Sequence, residues 1–282
     1  MRVKLADATG FCMGVQRAVS MTLKAADRGE SKIYTYGPLI HNPQVIELLK
    51  GKGIEIISDL RELHSGIIVI RAHGISPQKK KEIEETGAQV LDATCPRVKR
   101  VQKIIRQYAT QGYATLIVGD KEHAEVVGLL GFSQGRGFVV TSEKEVEELP
   151  GLKKVCVVAQ TTQNERSFNQ ISKRVKKRFT ESLIFNTICD STQKRQGKTL
   201  ELARTVEGMV VVGGKNSGNT LRLVKLSEST GTPTFFIEHE NELNMDRLTS
   251  LSTVGVVGGT STPLWILEKV VKRIEEAGTG DY

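Results

Sequence analysis

The sequence holds four cysteines in 282 residues, widely spread and with no Cys-x-x-Cys pair. A disulfide-built scaffold is thereby excluded, and zinc ribbons or thioredoxin-type redox pairs are disfavoured. Aromatic residues make up only 5%, too little for a nucleic-acid module built on base-stacking platforms. The start, Met1-Arg2-Val3-Lys4-Leu5-Ala6-Asp7, lacks the apolar core of a secretory signal. Apolar runs such as Met209-Val210-Val211-Val212 fall far short of a membrane span. A cytoplasmic protein is expected. No Gly-x-Gly-x-x-Gly follows a strand-like run, so no nicotinamide fingerprint is read.

What is present fits a protein able to bury a core, with 39% apolar and 26% charged residues. The net charge of +8 is concentrated in Lys79-Lys80-Lys81 and in Lys173-Arg174-Val175-Lys176-Lys177-Arg178. Both runs lie in polar, helix-like segments and read as solvated helix faces, with an acidic protein or a nucleic acid as the open alternatives. Neither run has interleaved aromatics, and no RNA-binding signature occurs, which weighs against RNA.

Gly-ended apolar runs alternate with helical patterns, which predicts an α/β fold with largely parallel strands. Strands are expected at 32–36, 66–70, 88–91, 114–118, 155–158, 209–212 and 253–257. An internal repeat runs through them. Gly37 precedes His41, Gly119 precedes His123, and Gly213 precedes Ser217, each by four residues and each before a helix-like stretch. A second set, His73, Thr161 and Ser261, follows later strands, and a third comprises Cys95, Cys189 and Cys12. Three pseudo-repeated units follow, with the N-terminal strand completing the third. Parallel sheets bind ligands at the carboxyl ends of their strands, where all nine positions fall.

In Asp92-Ala93-Thr94-Cys95-Pro96, a strand-like run stops at a cysteine and an amphipathic helix begins. Helix dipole and unpaired N–H groups there favour a thiolate. Three such cysteines suit a metal centre one protein ligand short of closure: an iron–sulfur cluster, or a zinc site with water. Cys156, inside Val155-Cys156-Val157-Val158, reads as core. Asn42-Pro43 and Thr262-Pro263 read as helix caps that place His41 and Ser261 beside anion-binding helix starts. Glu125 is either a proton relay or a solvent-exposed helix-start residue. A zinc-stabilised phosphate-binding protein remains open on these grounds.

Gly10-Phe11-Cys12-Met13-Gly14-Val15, Ile40-His41-Asn42-Pro43, Arg71-Ala72-His73-Gly74, Asp92-Ala93-Thr94-Cys95-Pro96, Ala159-Gln160-Thr161-Thr162, Asn186-Thr187-Ile188-Cys189, Gly214-Lys215-Asn216-Ser217-Gly218-Asn219 and Ser261-Thr262-Pro263 resemble the hydroxymethylbutenyl diphosphate reductase (IspH/LytB) family, almost end to end. The resemblance implies three α/β lobes arranged around a central [4Fe–4S] iron–sulfur cluster: 13–96, 97–190, and 191–282 plus 1–12. It implies Cys12, Cys95 and Cys189 as cluster ligands, and Glu125 as proton source. His41, His73, His123, Ser217, Gly218, Asn219 and Ser261 would form the diphosphate pocket, with Thr161 near the substrate. The expected substrate is hydroxymethylbutenyl diphosphate, and ferredoxin or flavodoxin is the expected electron donor. Departures from the family pattern are Ala124 where proline is frequent, Gly218 for a serine, and Leu264 for an acidic residue.

Overall fold

The structure is a computed structural model and describes residues 1–29, 31–63 and 65–278. The end of the third expected lobe, 279–282, lies outside the described residues. Strand β1 (Arg2–Leu5) opens the chain; β2 (Ile33–Tyr36), β3 (Ile54–Ile57), β4 (Ile67–Ile70) and β5 (Gln89–Asp92) follow. Next come β6 (Ala114–Val118), β7 (Gly137–Val140), β8 (Lys154–Ala159) and β9 (Glu181–Phe185), then β10 (Gly208–Val212), β11 (Thr234–Ile237) and β12 (Thr253–Gly258).

They form three four-stranded parallel sheets, ordered β3-β2-β4-β5, β7-β6-β8-β9 and β11-β10-β12-β1. Each sheet repeats one plan: the first strand of the set lies between the second and the third, and the fourth lies outside the third. In the last sheet the fourth place is taken by β1, paired Arg2 to Thr253 through Leu5 to Val256. The fold is thus three parallel-sheet α/β lobes. Inner strands such as β6 and β10 are buried throughout, because helices cover both faces, and so they read as unbroken apolar runs.

Alternation along the strands divides the core. In the β6–β9 lobe, Leu116, Val118, Val155 and Val157 pack with Phe168, Ile171 and Val175 of the helix Glu165–Arg178. On the other face Ile117, Cys156 and Val158 meet Val98, Val101 and Ile105 of the helix Pro96–Thr110. In the last lobe, Val210, Val212, Val254 and Val256 pack with Ile266, Leu267, Val270 and Ile274 of the helix Leu264–Gly278. Successive strand residues point to opposite faces, so one strand serves both layers.

By compactness the chain divides into two units. One is Met1–Gln16, Ile40–Leu48 and Asp190–Tyr282; the other is Arg17–Leu39 and Leu49–Cys189. The first holds the β11-β10-β12-β1 sheet and the second holds the other two. The His41 segment therefore belongs to the unit of the third sheet, although it precedes β3 in the chain. Among the described residues no helix is long and apolar enough to cross a membrane.

Candidate active site

In the second unit, β6 ends at Val118 and the helix Ala124–Leu130 begins six residues later, with His123 as its cap. The His123 Nδ1 accepts the Glu125 N–H at 3.2 Å, so the proton of the neutral ring sits on Nε2. The His73 and His123 rings meet edge to face, 5.4 Å between centroids. His73 is followed by Gly74 at φ +73°, where a Cβ would lie 2.6 Å from the Gln102 side-chain nitrogen. The left-handed backbone favours glycine there, whereas the mobile Gln102 amide could give way.

Glu125 is 2% exposed, so the solvent-exposed reading of this residue is excluded. Its carboxylate accepts the Thr161 N–H at 2.6 Å on one oxygen and the Thr161 hydroxyl at 2.7 Å on the other. The Thr161 carbonyl accepts the Cys189 N–H at 2.9 Å. One threonine thus ties the carboxylate to the cysteine segment. The Asn186-Thr187-Ile188-Cys189 turn is built locally: Asn186 Oδ1 accepts the Ile188 N–H at 3.1 Å, and the Thr187 hydroxyl exchanges bonds with the Ala159 backbone. Asp92 does the same before Cys95, accepting the Thr94 N–H at 2.9 Å. Burial pushes the Asp92 carboxyl up, but hydrogen bonds from Lys99 and Thr94 and the Lys99 charge hold it below the usual carboxylate range.

The thiolate expectation for Cys95 is corrected. Burial pushes its thiol up, and nearby Cys189 and Glu125 add to the push. The nearby N–H groups of Arg97 and Val98 pull downward, as a helix start should, but no hydrogen bond caps the helix through the sulfur and burial outweighs them. Cys156 is fully buried mid-strand, and burial pushes its thiol up to about 12. It is a core residue, as its apolar neighbours predict.

In the first unit, Asn42 caps the helix Pro43–Gly51 through its Oδ1, which accepts the Val45 N–H at 3.1 Å. The preceding His41 carbonyl accepts the Ser261 hydroxyl at 3.1 Å. Ser217 caps the helix Gly218–Glu228 by accepting the Thr220 N–H. Gly218 and Asn219 fill its first turn, where N–H groups lack intrahelical partners. Asn219 is 2% exposed, yet both amide atoms lack a hydrogen-bond partner among the described residues. Buried polar groups nearly always find a partner, which makes Asn219 a candidate contact for a bound molecule. A Cβ on Gly213 would stand 2.7 Å from the Thr262 hydroxyl oxygen, so the repeated glycine lets these loops close.

Thr262 does not cap as expected. Its hydroxyl donates to the Val212 carbonyl at 2.9 Å, and the last helix begins at Leu264. That bond pins the Ser261 loop to β10 instead. The Cys12 N–H donates to the Thr260 carbonyl at 3.1 Å. Leu264 is half exposed beside Gly10.

A family model described as LytB protein matches residues 3–275. The chain belongs to the LytB family. A 4-hydroxy-3-methylbut-2-enyl diphosphate reductase of Geobacter sulfurreducens is 40% identical over 276 residues, 98% of each chain. The solved E-1-hydroxy-2-methyl-but-2-enyl-4-diphosphate reductase of Plasmodium falciparum superposes with a TM-score of 0.92 at 27% identity, covering 96% of this chain and 87% of that one. A structure titled (E)-4-hydroxy-3-methyl-but-2-enyl diphosphate reductase, the terminal enzyme of the non-mevalonate pathway, gives 0.72 at 39% identity, over 98% and 100%.

One residue of this LytB chain escaped the sequence reading. Arg195, 4% exposed, donates to the Gly258 carbonyl at 2.6 Å and to the Gly10 carbonyl at 2.8 Å. It joins the Cys12 loop to the end of β12. Burial brings its guanidinium down to about 10, with the nearby Cys12 opposing. A signal existed: in the helix Asp190–Ala203 the buried residues are Thr192, Arg195, Gln196, Thr199 and Ala203, a polar stripe at helical spacing where an apolar one is usual.

Proposed function

We propose that this LytB chain reduces 4-hydroxy-3-methylbut-2-enyl diphosphate to isopentenyl and dimethylallyl diphosphates, the last step of the methylerythritol phosphate route to isoprenoids. The names of its relatives support the activity. The observation that carries it is Glu125, a buried carboxylate held by both donors of Thr161 and within electrostatic reach of Cys95. The overall change adds two electrons and two protons to the allylic alcohol and releases one water. Such a reaction needs a proton carrier shielded from solvent beside the electron source.

The residues present fit an iron–sulfur group with one open position. Cys12, Cys95 and Cys189 are outside any disulfide and lie past strand ends, each one residue before a helix. The Cys95 sulfur sits at a helix start near the Arg97 and Val98 N–H groups, an arrangement that tunes ligated thiolates. These three would hold a [4Fe–4S] cluster; Cys156, buried in the core, would not. When bound, the cluster supplies single electrons and a Lewis-acidic iron for the leaving oxygen. The family resemblance assigns the diphosphate to His41, His73, His123, Ser217, Gly218, Asn219 and Ser261. Remote binding energy of that kind fixes the reacting end. Thr161 orients Glu125, and Glu125 delivers protons to the departing hydroxyl and the allylic carbon.

Ferredoxin or flavodoxin supplies the electrons, in the cytoplasm. The lobe limits 13–96, 97–190 and 191–282 plus 1–12 belong to the same reading, supported by the repeated strand order. The test is anaerobic turnover of the hydroxymethylbutenyl diphosphate with a reduced dye and product analysis. Brown protein with iron and sulfide that forms both products is expected. Colourless protein holding only zinc overturns the reading.

A further inference from the structure

The helix Pro96–Thr110 carries Arg97, Lys99, Arg100, Lys103 and Arg106 and no acidic residue. It starts directly after Cys95, and the Cys95 carbonyl accepts the Lys99 N–H at 2.9 Å. Arg97, Lys99 and Arg100 crowd its N-terminal turns, where the positive end of the dipole disfavours cations. Only part of this charge is answered locally. Lys99 pairs with Asp92 at 2.7 Å, and the Arg106 guanidinium lies over the Phe132 ring. Arg100 and Lys103 are exposed and have no acidic partner among the described residues. Beside the helix lies a cleft of about 780 Å³, lined by Lys80, Lys99, Lys103 and Arg106 against Glu84 and Asp92. Those two acids are already paired, Glu84 with Lys80 at 3.7 Å and Asp92 with Lys99.

The second basic run of the sequence is different. Lys173, Lys176 and Lys177 lie toward the C-terminal end of the helix Glu165–Arg178, where the dipole favours cations. Arg174 and Arg178 beside them are paired with Glu147. Helix polarity also puts that run at the far end of its lobe. A helix that follows a parallel strand starts at the ligand-binding end and climbs away at about 1.5 Å per residue. Lys176 thus lies roughly 16 Å beyond its helix start, whereas Lys99 and Lys103 lie about 6 and 12 Å beyond Cys95. One run has a local reason to exist; the other breaks a local rule, and such breaks concentrate at functional places.

We propose that the basic face of Pro96–Thr110, with Lys80 across the cleft, docks an acidic one-electron carrier protein and delivers its electron at Cys95. The proposal rests on the reductase reading, which requires two single-electron deliveries per substrate. At each docking the carrier loses one electron and the enzyme gains one. Redox encounters are small and transient, so charge complementarity sets their rate more than buried area does.

The test uses anaerobically reconstituted holoenzyme and a pre-reduced acidic ferredoxin mixed in a stopped-flow instrument. The double variant Arg100→Glu/Lys103→Glu should lower the second-order rate constant by about 10- to 100-fold at low salt. The deficit should shrink toward unity at roughly 0.5 M salt. Turnover with reduced methyl viologen, a small cation that a basic face does not attract, should match wild type or exceed it slightly. Lys173→Glu/Lys176→Glu should leave both rates unchanged. Ferredoxin rates within twofold of wild type in the first variant, with dye turnover intact, overturn the docking site. An equal loss in the second variant also overturns it, since the effect is then net charge alone. Wild-type holoenzyme that fails with the dye overturns the reductase reading itself.

Discussion

Thr161 donates both its backbone N–H and its hydroxyl to the Glu125 carboxylate, at 2.6 and 2.7 Å. The pair joins the start of the helix after β6 to the loop after β8, and those two strands are neighbours in one sheet. The carboxylate is held at two points, which fixes its direction as well as its place.

Glu125→Gln keeps this shape, because the amide oxygen can take the Thr161 N–H and the Thr161 hydroxyl can turn to accept. Folding and iron content should therefore stay at wild-type levels. Turnover should fall by about 10²- to 10⁴-fold, the usual worth of a positioned proton carrier. Single-turnover product formation under anaerobic conditions checks it; near-normal turnover removes Glu125 from proton delivery.

Thr161→Val deletes the hydroxyl and with it one hydrogen bond to the buried carboxylate. The expected cost is about 1.5–3 kcal/mol in stability, the usual worth of a hydrogen bond to a charged group. Thr161→Ser should restore most of it. Urea unfolding of the apoproteins, alongside turnover of the loaded enzymes, separates the two effects.

Asn219 makes the opposite prediction. Its amide is buried without partners among the described residues, so Asn219→Ala should leave the apoprotein as stable as wild type or raise its melting midpoint by up to about 3 °C. Affinity for inorganic pyrophosphate should fall about tenfold, the equivalent of ~1.4 kcal/mol. A clear loss of apoprotein stability would show that the amide serves the fold.

The inner strands β4, β6, β8, β10 and β12 were legible because burial on both faces writes a continuous apolar run. The edge strands β3, β7, β9 and β11 escaped, as their short segments are only partly buried and carry residues such as Glu55, Gly137 or Glu181. Their places emerge only from pairing with β2, β6, β8 and β10. The candidate residues were legible through the repeat: His41, His123 and Ser217 each lie five positions past the last residue of β2, β6 and β10. Burial was not legible. It reversed the expected direction at Cys95 and excluded the exposed reading of Glu125, because desolvation depends on residues distant in sequence. Arg195 was hidden for the same reason: its acceptors, Gly10 and Gly258, lie far from it along the chain.

Cys156 gives a prediction that involves stability alone. Its thiol is pushed by burial from 9.0 to about 12 in the folded chain. Below pH 9 the folded and unfolded forms both keep the proton, and stability does not depend on this group. Between pH 9 and 12 the unfolded chain releases the proton while the folded chain retains it. The unfolded state then binds fewer protons, so stability falls as pH rises, by up to ~1.4 kcal/mol per unit. Cys156→Ala removes this term and adds a cavity cost that does not vary with pH. The stability gap between wild type and variant should therefore narrow by about 1.5 kcal/mol from pH 9 to pH 10.5. Urea unfolding of both apoproteins across that range measures it. A constant gap would show that the Cys156 thiol titrates alike folded and unfolded, and iron content in the loaded variant should remain that of wild type.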